Sequence, residues 1–368
     1  MRYAERPLLV YWELTRACEL ACRHCRAEAV SWRHPRELST AAAYALLEQL
    51  TGFGPPLPHL VLTGGDPLKR PDLFDLIAHA RSLGFTVAIT PSGTYALTQQ
   101  VIAELKDAGI SMLALSLDGS TAARHDALRG VPGSFDWTVQ AARWARALGL
   151  PLQINSLVCA ETRDDLPALL DLVGELGAQR WSLFFLVPIG RGRLLREVEP
   201  DEAERIMTWL YQVAPTVPFA IKTTEAPFYR RVVAQRRAAE RRGGATPPDL
   251  ASIRQGHGVR DGNGILFISH VGDIYPAGFL PLPLGNVATA DPVEVYRRHP
   301  LLVALRDPDR FKGKCGRCEF RFVCGGSRAR AYAVTGDPLE SDPLCPYQPS
   351  LSASAAPPPV PGDDALPA

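Results

Sequence analysis

The stretch LLVYWELTRACELACRHC, residues 8–25, joins an apolar run to three closely spaced cysteines. The apolar run predicts a β-strand. Cys18, Cys22 and Cys25 follow with the spacing C-x3-C-x2-C, a compact loop that can direct three thiolates at one cluster. A 4Fe-4S cluster is usually held by four cysteines, so three leave one iron open for another ligand. The alternative is a zinc site completed by His24, but adjacent His24 and Cys25 cannot easily both point at one metal.

Beyond this stretch, short apolar runs alternate with amphipathic helical stretches up to about Val187, the pattern of repeated βα units that build a parallel sheet. The predicted strands are 8–14, 60–63, 86–90, 112–117, 152–158 and 181–186. The predicted helices between them are 40–50, 71–83, 98–108, 135–147 and 166–176. Polar or glycine-rich residues follow the strands, at the edge where parallel α/β folds bind ligands. The sequence therefore predicts an α/β fold.

Composition excludes several classes of function. The chain has 368 residues, and its 40 basic and 39 acidic side chains nearly cancel. It therefore lacks the global positive field of a nucleic-acid or anionic-membrane binder. Neither a signal-peptide core nor the ~20 consecutive apolar residues of a membrane helix is present, so we expect a cytoplasmic protein without a membrane partner. Seven of the eight cysteines fall in two groups, which favours metal binding over disulfides.

The rhythm changes after the sixth predicted strand, and we expect four segments. They are a sheet domain at 1–195, a bridging helical segment at 196–263, a small metal-binding domain at 264–348 and a disordered tail at 349–368. The small domain begins with a predicted β-hairpin, 265–269 and 273–275, around Val271-Gly272. The tail is rich in Pro, Ala and Ser, with few large apolar side chains to bury.

The second cysteine group has the spacing C-x2-C-x5-C over Cys315, Cys318 and Cys324, and Cys345 follows. Four thiolates suit either zinc or a fully coordinated 4Fe-4S cluster. A zinc ribbon usually pairs two C-x2-C knuckles, and only one is present, so the spacing favours iron–sulfur. The remaining cysteine, Cys159, lies in the fifth predicted strand and is expected to be a buried core thiol.

The first cysteine group, placed after a first strand and before a βα repeat, resembles the signature of the radical S-adenosylmethionine (SAM) superfamily. After the second predicted strand, Gly64, Gly65, Asp66 and Pro67 are similar to the Gly-Gly-Glu-Pro element through which that family binds the SAM amino group. Asp66 replaces the glutamate and keeps its charge. Glycines let backbone carbonyls approach a ligand closely. Read alone, this tetrapeptide is a simple turn, but its position relative to the cysteines favours the binding function.

The resemblance implies further SAM contacts at the ends of later strands. Ser116 and Arg129 match the segment that contacts the SAM carboxylate and ribose, and the planar fork of an arginine suits a carboxylate. Ser92, Asn155 and Val187 occupy places where the family touches the ribose and adenine. For these three, a role as strand-end polar or core residues fits the sequence equally well.

The second cysteine group, with Cys324-Gly325-Gly326 behind it, is similar to the C-terminal SPASM domain that carries auxiliary clusters in many radical SAM enzymes. A full SPASM domain supplies cysteines for two clusters. Here Ala277 and Arg328 stand where two cysteines of the inner cluster would fall. The resemblance thus implies one auxiliary 4Fe-4S cluster, held by all four cysteines of the group. It also implies the fold: a partial (β/α)6 TIM-like barrel followed by a small SPASM/twitch-like iron–sulfur domain.

Residues 328–332, with Gly336-Asp337, resemble the superfamily branch that modifies tetrapyrroles in haem and haem d1 biosynthesis. The resemblance implies an oxidoreductase that reductively cleaves SAM to a 5'-deoxyadenosyl radical and abstracts hydrogen from a substrate. A flavodoxin or ferredoxin would supply the electron. One alternative is maturation of a ribosomally made peptide, although the early first strand leaves no room for an N-terminal peptide-recognition domain. The other is a non-catalytic electron-transfer protein, which the open iron position disfavours.

Candidate substrate contacts lie in a polar, partly basic stretch between the two cysteine groups. They are Lys222, Glu225, Tyr229, Arg230 and His257. Anionic propionates of a tetrapyrrole would suit the basic members, and a solvated helix and linker is the alternative. The chain has no general acid–base pair or nucleophile motif, as expected when the cofactor carries the chemistry.

Overall fold

The computed structural model describes residues 3–248 and 258–349. Its strands are β1 (Leu9–Glu13), β2 (His59–Thr63), β3 (Val87–Ile89), β4 (Met112–Ser116), β5 (Leu152–Val158), β6 (Arg180–Phe185), β7 (Ala220–Thr224), β8 (Ile265–Ile268), β9 (Asp273–Tyr275) and β10 (Gly285–Asn286). They form one sheet in the order β10-β9-β8-β1-β2-β3-β4-β5-β6-β7. Every pair from β8 through β1 to β7 is parallel, whereas β9 pairs antiparallel with β8 and β10. The predicted α/β fold with a parallel sheet is confirmed.

The described helices lie between and after the strands. They are α1 (Thr40–Leu50), α2 (Leu73–Ser82), α3 (Gln99–Asp107), α4 (Ala122–Arg129), α5 (Ser134–Ala147), α6 (Leu166–Glu175), α7 (Pro200–Val213), α8 (Tyr229–Arg242), α9 (Pro292–Arg298), α10 (Pro300–Arg306), α11 (Gly313–Arg317) and α12 (Arg328–Thr335). Within the described ranges, no helix is long and apolar enough to cross a membrane.

Local sequence accounts for most of these helices. Helix α1 begins after Ser39, whose side chain accepts a hydrogen bond from the Ala42 amide, and it buries four apolar residues at helical spacing. It has the predicted bounds. Helix α4 was not predicted, because it buries only His125 and Leu128 and shows little apolar periodicity. Its end is nevertheless encoded, since Gly130 adopts the left-handed conformation (φ 72°) that closes a helix.

The sheet extends past the six predicted βα units on both sides. Strand β7 pairs with β6, and β8 pairs with β1 in the register Val10 to Leu266 and Trp12 to Ile268. All four of these side chains are fully buried, so the C-terminal strand completes the same core. The predicted hairpin is present as β8 and β9, but it belongs to the main sheet. The division into segments at 195 and 263 stays a prediction.

The two faces of the sheet differ. Side chains such as Val10 and Leu60 are buried beneath the helices, whereas the alternating positions Leu9, Tyr11 and His59 stay partly exposed. We call the face with Leu9, Tyr11 and His59 the inner face of the sheet, and its side chains are partly accessible. The loops at the carboxyl ends of the strands lie at one edge of this face. Of the predicted tail, only Pro349 is among the described residues, and His257 also lies outside them.

Candidate active site

The first cysteine group lies in the loop that follows β1. Cys18 and Cys22 are buried and Cys25 is partly buried, and the three pack together with Leu20 and Ala29 in one small cluster. Backbone amides already face two of the sulfurs: the Leu20 amide lies 3.3 Å from Cys18 Sγ, and the Ala29 amide lies 3.4 Å from Cys25 Sγ. Amide donors of this kind stabilise thiolates that ligate a metal.

Neighbouring elements hold the loop in place. The Ala21 amide donates to the Arg129 carbonyl (3.0 Å) and the Arg23 amide to the Leu128 carbonyl (2.8 Å), so the loop is seated on the end of α4. On its other side, the Arg191 amide donates to the Cys25 carbonyl at 3.1 Å. The end of α4 and the loop after β6 thus hold the cysteine loop in position.

Gly64 and Gly65 pack against the cysteine loop. The Gly65 amide donates to the Thr15 carbonyl and the Asp66 amide to the Ala17 carbonyl, both at 2.7 Å. A Cβ on Gly65 would lie 2.7 Å from the Arg16 carbonyl oxygen and 2.8 Å from the Ala17 carbonyl carbon. The close approach that requires glycine at 65 is therefore to the chain's own backbone, whereas the sequence suggested an approach to a ligand.

Asp66 is completely buried at this junction. Its Oδ1 accepts hydrogen bonds from the Leu68 amide (3.2 Å) and the Ser92 amide (3.3 Å), but its Oδ2 has no hydrogen-bond partner among the described residues. Burial raises the pKa of Asp66 to about 6. Ser92 Oγ donates to the Gly65 carbonyl at 2.9 Å and lies 3.2 Å from Cys18 Sγ. An unpaired carboxylate oxygen beside the cysteines fits a cationic amino group.

Arg129, Asp118 and His24 form a buried network on the opposite side of the loop. Arg129 Nη2 lies 2.6 Å from Asp118 Oδ2, and Arg129 Nη1 donates to Cys22 Sγ at 3.7 Å. Burial opposes ionisation of Asp118, but the positive charge of Arg129 keeps its pKa below the ordinary value. The Arg129 guanidinium is therefore shared between a carboxylate of the chain and a cluster cysteine.

His24 faces this network. Its Nε2 lies 3.5 Å from Asp118 Oδ2, and burial lowers its pKa to about 4, so the ring is neutral at physiological pH. In the described ranges, no three His, Cys, Asp or Glu side chains converge on a single metal ion. The contact with Asp118 gives His24 a role other than the zinc ligand considered from the sequence.

The remaining SAM candidates occupy two different environments. Ser116 on β4 and Asn155 on β5 are register partners, and Ser182 on β6 continues the same row. Asn155 Oδ1 accepts from Gln153 Nε2 at 2.7 Å. Val187 is buried in the core after β6. The sheet thus aligns Ser116 and Asn155, whereas the Val187 side chain packs in the interior.

The second cysteine group also comes together. Cys315, Cys318, Cys324 and Cys345 line one small cavity of about 20 Å³. Two buried arginines donate to its sulfurs: Arg328 NH2 to Cys315 Sγ at 3.6 Å, and Arg231 NH2 to Cys345 Sγ at 3.8 Å. A Cβ on Gly326 would lie 3.2 Å from Cys315 Sγ, so glycine keeps this wall open.

Helix α12 connects the second cysteine group to the sheet through Arg330, which is fully buried. Its guanidinium donates to the Leu186 carbonyl after β6 (2.8 Å), the Glu225 carbonyl after β7 (2.7 Å) and Glu197 Oε1 (2.5 Å). The sequence did not predict this link. The alternation of arginine and alanine at 328–331 carried no signal of this partner.

The predicted substrate contacts separate in the fold. Lys222 and Arg230 are partly exposed, and burial, followed by the charges of Arg180 and Arg230, lowers the pKa of Lys222 to about 8. Glu225 instead turns to the C-terminal segment, where its Oε2 accepts from Ser327 Oγ at 2.5 Å. Tyr229 is buried in the main core. Cys159 is fully buried beside Thr162, as predicted for a core thiol.

Comparisons with known proteins identify the family and several relatives of this chain. The family model described as "Radical SAM superfamily" matches residues 12–173. The chain is 39% identical over 352 residues to an AdoMet-dependent heme synthase of Oleidesulfovibrio alaskensis, covering 94% of this chain and 89% of that protein. It is 30% identical to a pre-heme d1 synthase of Dinoroseobacter shibae, over 92% of this chain and 85% of the other.

Among solved structures, SuiB of Streptococcus suis bound to S-adenosylmethionine superposes with a TM-score of 0.70 at 17% identity. The match covers 93% of this chain and 78% of that one. It confirms the predicted fold class, a TIM-like partial barrel.

Proposed function

Since the chain belongs to the radical SAM superfamily, we propose that it is the haem-forming member of a haem biosynthesis route and acts on an iron tetrapyrrole. The observation that carries this proposal is the 39% identity to an AdoMet-dependent heme synthase over nearly the whole length of both chains. The 30% identity to a pre-heme d1 synthase supports the same substrate class.

Membership implies one 4Fe-4S cluster and SAM, and the residues present fit both. Cys18, Cys22 and Cys25 would hold the cluster and leave one iron for SAM. The unpaired Oδ2 of Asp66 suits the SAM amino group, and Ser92 lies between that carboxylate and Cys18. When bound, the two groups together supply a 5'-deoxyadenosyl radical that removes a hydrogen atom from the substrate.

The chain's own task is to bind and orient. Arg129 would neutralise the Cys22 thiolate and still offer its Nε, which has no hydrogen-bond partner among the described residues, to the SAM carboxylate. Ser116 and Asn155 would border the ribose and adenine from the inner face of the sheet. Val187 would contribute from the core only through its backbone or an apolar surface.

We further propose an auxiliary 4Fe-4S cluster on Cys315, Cys318, Cys324 and Cys345. A zinc ribbon usually pairs two C-x2-C knuckles, whereas this group has one such pair, Cys315 and Cys318, followed by the wider spacing to Cys324 and the distant Cys345. The donors from Arg231 and Arg328 suit a cluster that accepts an electron, because hydrogen bonds to sulfur raise a cluster's reduction potential.

The test is anaerobic reconstitution, with iron and sulfide counted and SAM and dithionite added. About eight irons per chain are expected, since each cluster holds four, together with 5'-deoxyadenosine. Iron coproporphyrin III, a tetrapyrrole whose acidic side chains are all propionates, is then added and haem is sought by chromatography and mass. SAM cleavage without haem would reject the substrate assignment, and two intact clusters without any cleavage would favour the electron carrier.

A double variant, Cys315→Ala with Cys318→Ala, tests the second cluster. It is expected to lose about four irons and the corresponding EPR signal, while the first cluster keeps its own signal. Normal product in a single turnover of this variant would reject an essential redox role, and an unchanged iron count would reject the ligand assignment.

A further inference from the structure

The inner face of the sheet carries a group of cations. Arg180 is the first residue of β6, and Lys222 lies at the centre of β7. In the parallel register Arg180 pairs with Ala220 and Ser182 pairs with Lys222, so the two cationic side chains are diagonal neighbours on one face. Long side chains at such positions reach one another.

Residues from the far side of the sheet face the same place. His59 on β2 has its pKa lowered to about 4, first by burial and then by the charges of Arg180 and Lys222. Burial, with Arg180 and Arg230 next, lowers the pKa of Lys222 to about 8. Tyr11 on β1 also lies within the influence of Arg180. The two cations therefore lie, partly exposed, on the inner face of the sheet, which strands from both sides border.

No acidic side chain of the described ranges forms an ion pair with Arg180 or Lys222. Arg180 NH1 makes only a 3.3 Å hydrogen bond to Gln153 Oε1 and a 3.9 Å contact to Met112 Sδ. The acidic group closest in sequence to Lys222 is Glu225, and its carboxyl is engaged by Ser327 and Asp261. Burial and the neighbouring Asp261 raise the pKa of Glu225 well above its ordinary value, so it offers little negative charge.

Two neighbouring, partly buried cations without a negative partner repel one another and destabilise a fold. We propose that Arg180 and Lys222 bind a carboxylate of the substrate, which supplies the missing negative charge. This inference rests on the proposed function, since it takes the ligand to be an acidic tetrapyrrole. The planar fork of Arg180 suits a carboxylate oxygen pair, and Lys222 adds a point charge.

The register places this anchor relative to the SAM candidates. Ser116, Asn155, Ser182 and Lys222 lie in one row across four neighbouring strands. Strands are about 4.8 Å apart, so Lys222 lies about 10 Å from Asn155 and about 14 Å from Ser116. Arg180 lies one layer below the row. A substrate anchored by its acid group at this end would extend along the row toward the SAM contacts.

The proposal is tested by binding of coproporphyrin III and of its methyl ester. Both are titrated without oxygen into the reconstituted protein with SAM, and binding is measured by absorbance. The variants are Arg180→Gln and Lys222→Gln, with Arg241→Gln on the exposed end of α8 as the matched control. Each inner-face variant is expected to weaken binding of the free acid about ten- to a hundredfold, because a charged hydrogen bond is lost. The ester should bind the wild type and every variant with the same, weak affinity.

The thermal midpoint of the ligand-free protein gives a second readout. It should rise in both inner-face variants, because removing one of two like charges relieves repulsion; a merely structural arginine or lysine would lower it. Unchanged affinity for the free acid overturns the proposal, and so does equal loss of acid and ester binding with a lower midpoint.

Haem formation separates this inference from the proposed function. If the porphyrin binds in a charge-dependent way but no haem forms, the carboxylate site is supported and the proposed haem synthase function is rejected. Haem formation with unchanged acid affinity in both variants rejects the carboxylate site and keeps the synthase.

Discussion

Replacing Gly65 with alanine would test how the cysteine loop is positioned. The added methyl would lie 2.7 Å from the Arg16 carbonyl oxygen and 2.8 Å from the Ala17 carbonyl carbon, and real Cβ atoms essentially never approach another heavy atom closer than 3.0 Å. Both obstacles are backbone, so no side chain can turn aside. The segment 15–17 must move, and Cys18 is its next residue.

The structure allows a rough magnitude. Forcing a methyl into a filled space costs about 1–3 kcal/mol. The same displacement disturbs two hydrogen bonds of 2.7 Å, from the Gly65 and Asp66 amides, each worth about 1 kcal/mol. We therefore expect a loss of about 3–5 kcal/mol, with the damage concentrated at the first cluster site.

Iron content, 5'-deoxyadenosine formation and the thermal midpoint should be measured together. The variant is expected to lose most of the iron of the first cluster and nearly all SAM cleavage, and to melt at a lower temperature. The control is Gly174→Ala inside α6, where the nearest atom to the new methyl is Phe219 Cε1 at 3.7 Å. Alanine there should stabilise the helix by about 0.5–1 kcal/mol. A Gly65→Ala protein with wild-type iron, cleavage and midpoint would refute the reasoning.

Three further outcomes are expected. SAM binding should weaken as the pH falls below about 6, because protonation of Asp66 removes the charge that faces the amino group. Without SAM, the fold should instead become more stable as the pH falls through about 6, because the buried Asp66 then takes up a proton and loses its unfavourable charge. Asp66→Asn should abolish both pH dependences, measured by SAM titrations and thermal melts across that range. Arg330→Met should lower the free energy of unfolding by about 3–5 kcal/mol, since it leaves the buried Asp342 and the half-buried Glu197 without their cation. The control Arg298→Met, at an exposed position, should change it by less than about 0.5 kcal/mol. Equal melting temperatures of the two variants would count against the link between α12 and the sheet. Cys159→Ala should keep all iron and lose about 1 kcal/mol from a small cavity, whereas missing iron would identify Cys159 as a ligand.

Periodicity explains which elements could be predicted. Strands β1 to β6 and the helices α1, α2, α3, α5 and α6 appear where apolar residues recur at strand or helical spacing. Helix α4 was not predicted, because its buried face consists only of His125 and Leu128. The pairing of β8 with β1 was not predicted either, since strands so far apart in sequence carry no local signal of their register.

The site was predictable where spacing carries the information. The three cysteines of the first group share one small cluster, and the four of the second group line one pocket; that they ligate iron stays a prediction. Side-chain partners were not predictable from spacing: Arg129 is held by Asp118, and Glu225 is turned away from Lys222 by Ser327. Arg180 was overlooked because a single charge at the start of an apolar strand looks like a strand boundary.

The position of β1 has a consequence for how the chain matures. Strand β1 is translated before every other strand that the structure describes, yet it lies inside the finished sheet with β2 on one side and β8 on the other. About 250 more residues must be translated before β8 emerges, which takes roughly 10–50 seconds at common rates. Throughout that time one backbone edge of β1, next to the cysteine loop, lacks its partner and can pair with other nascent chains. Growth at low translation rates should therefore favour aggregation of unfinished chains, and chaperones that cover strand edges should raise the yield of protein competent to receive iron.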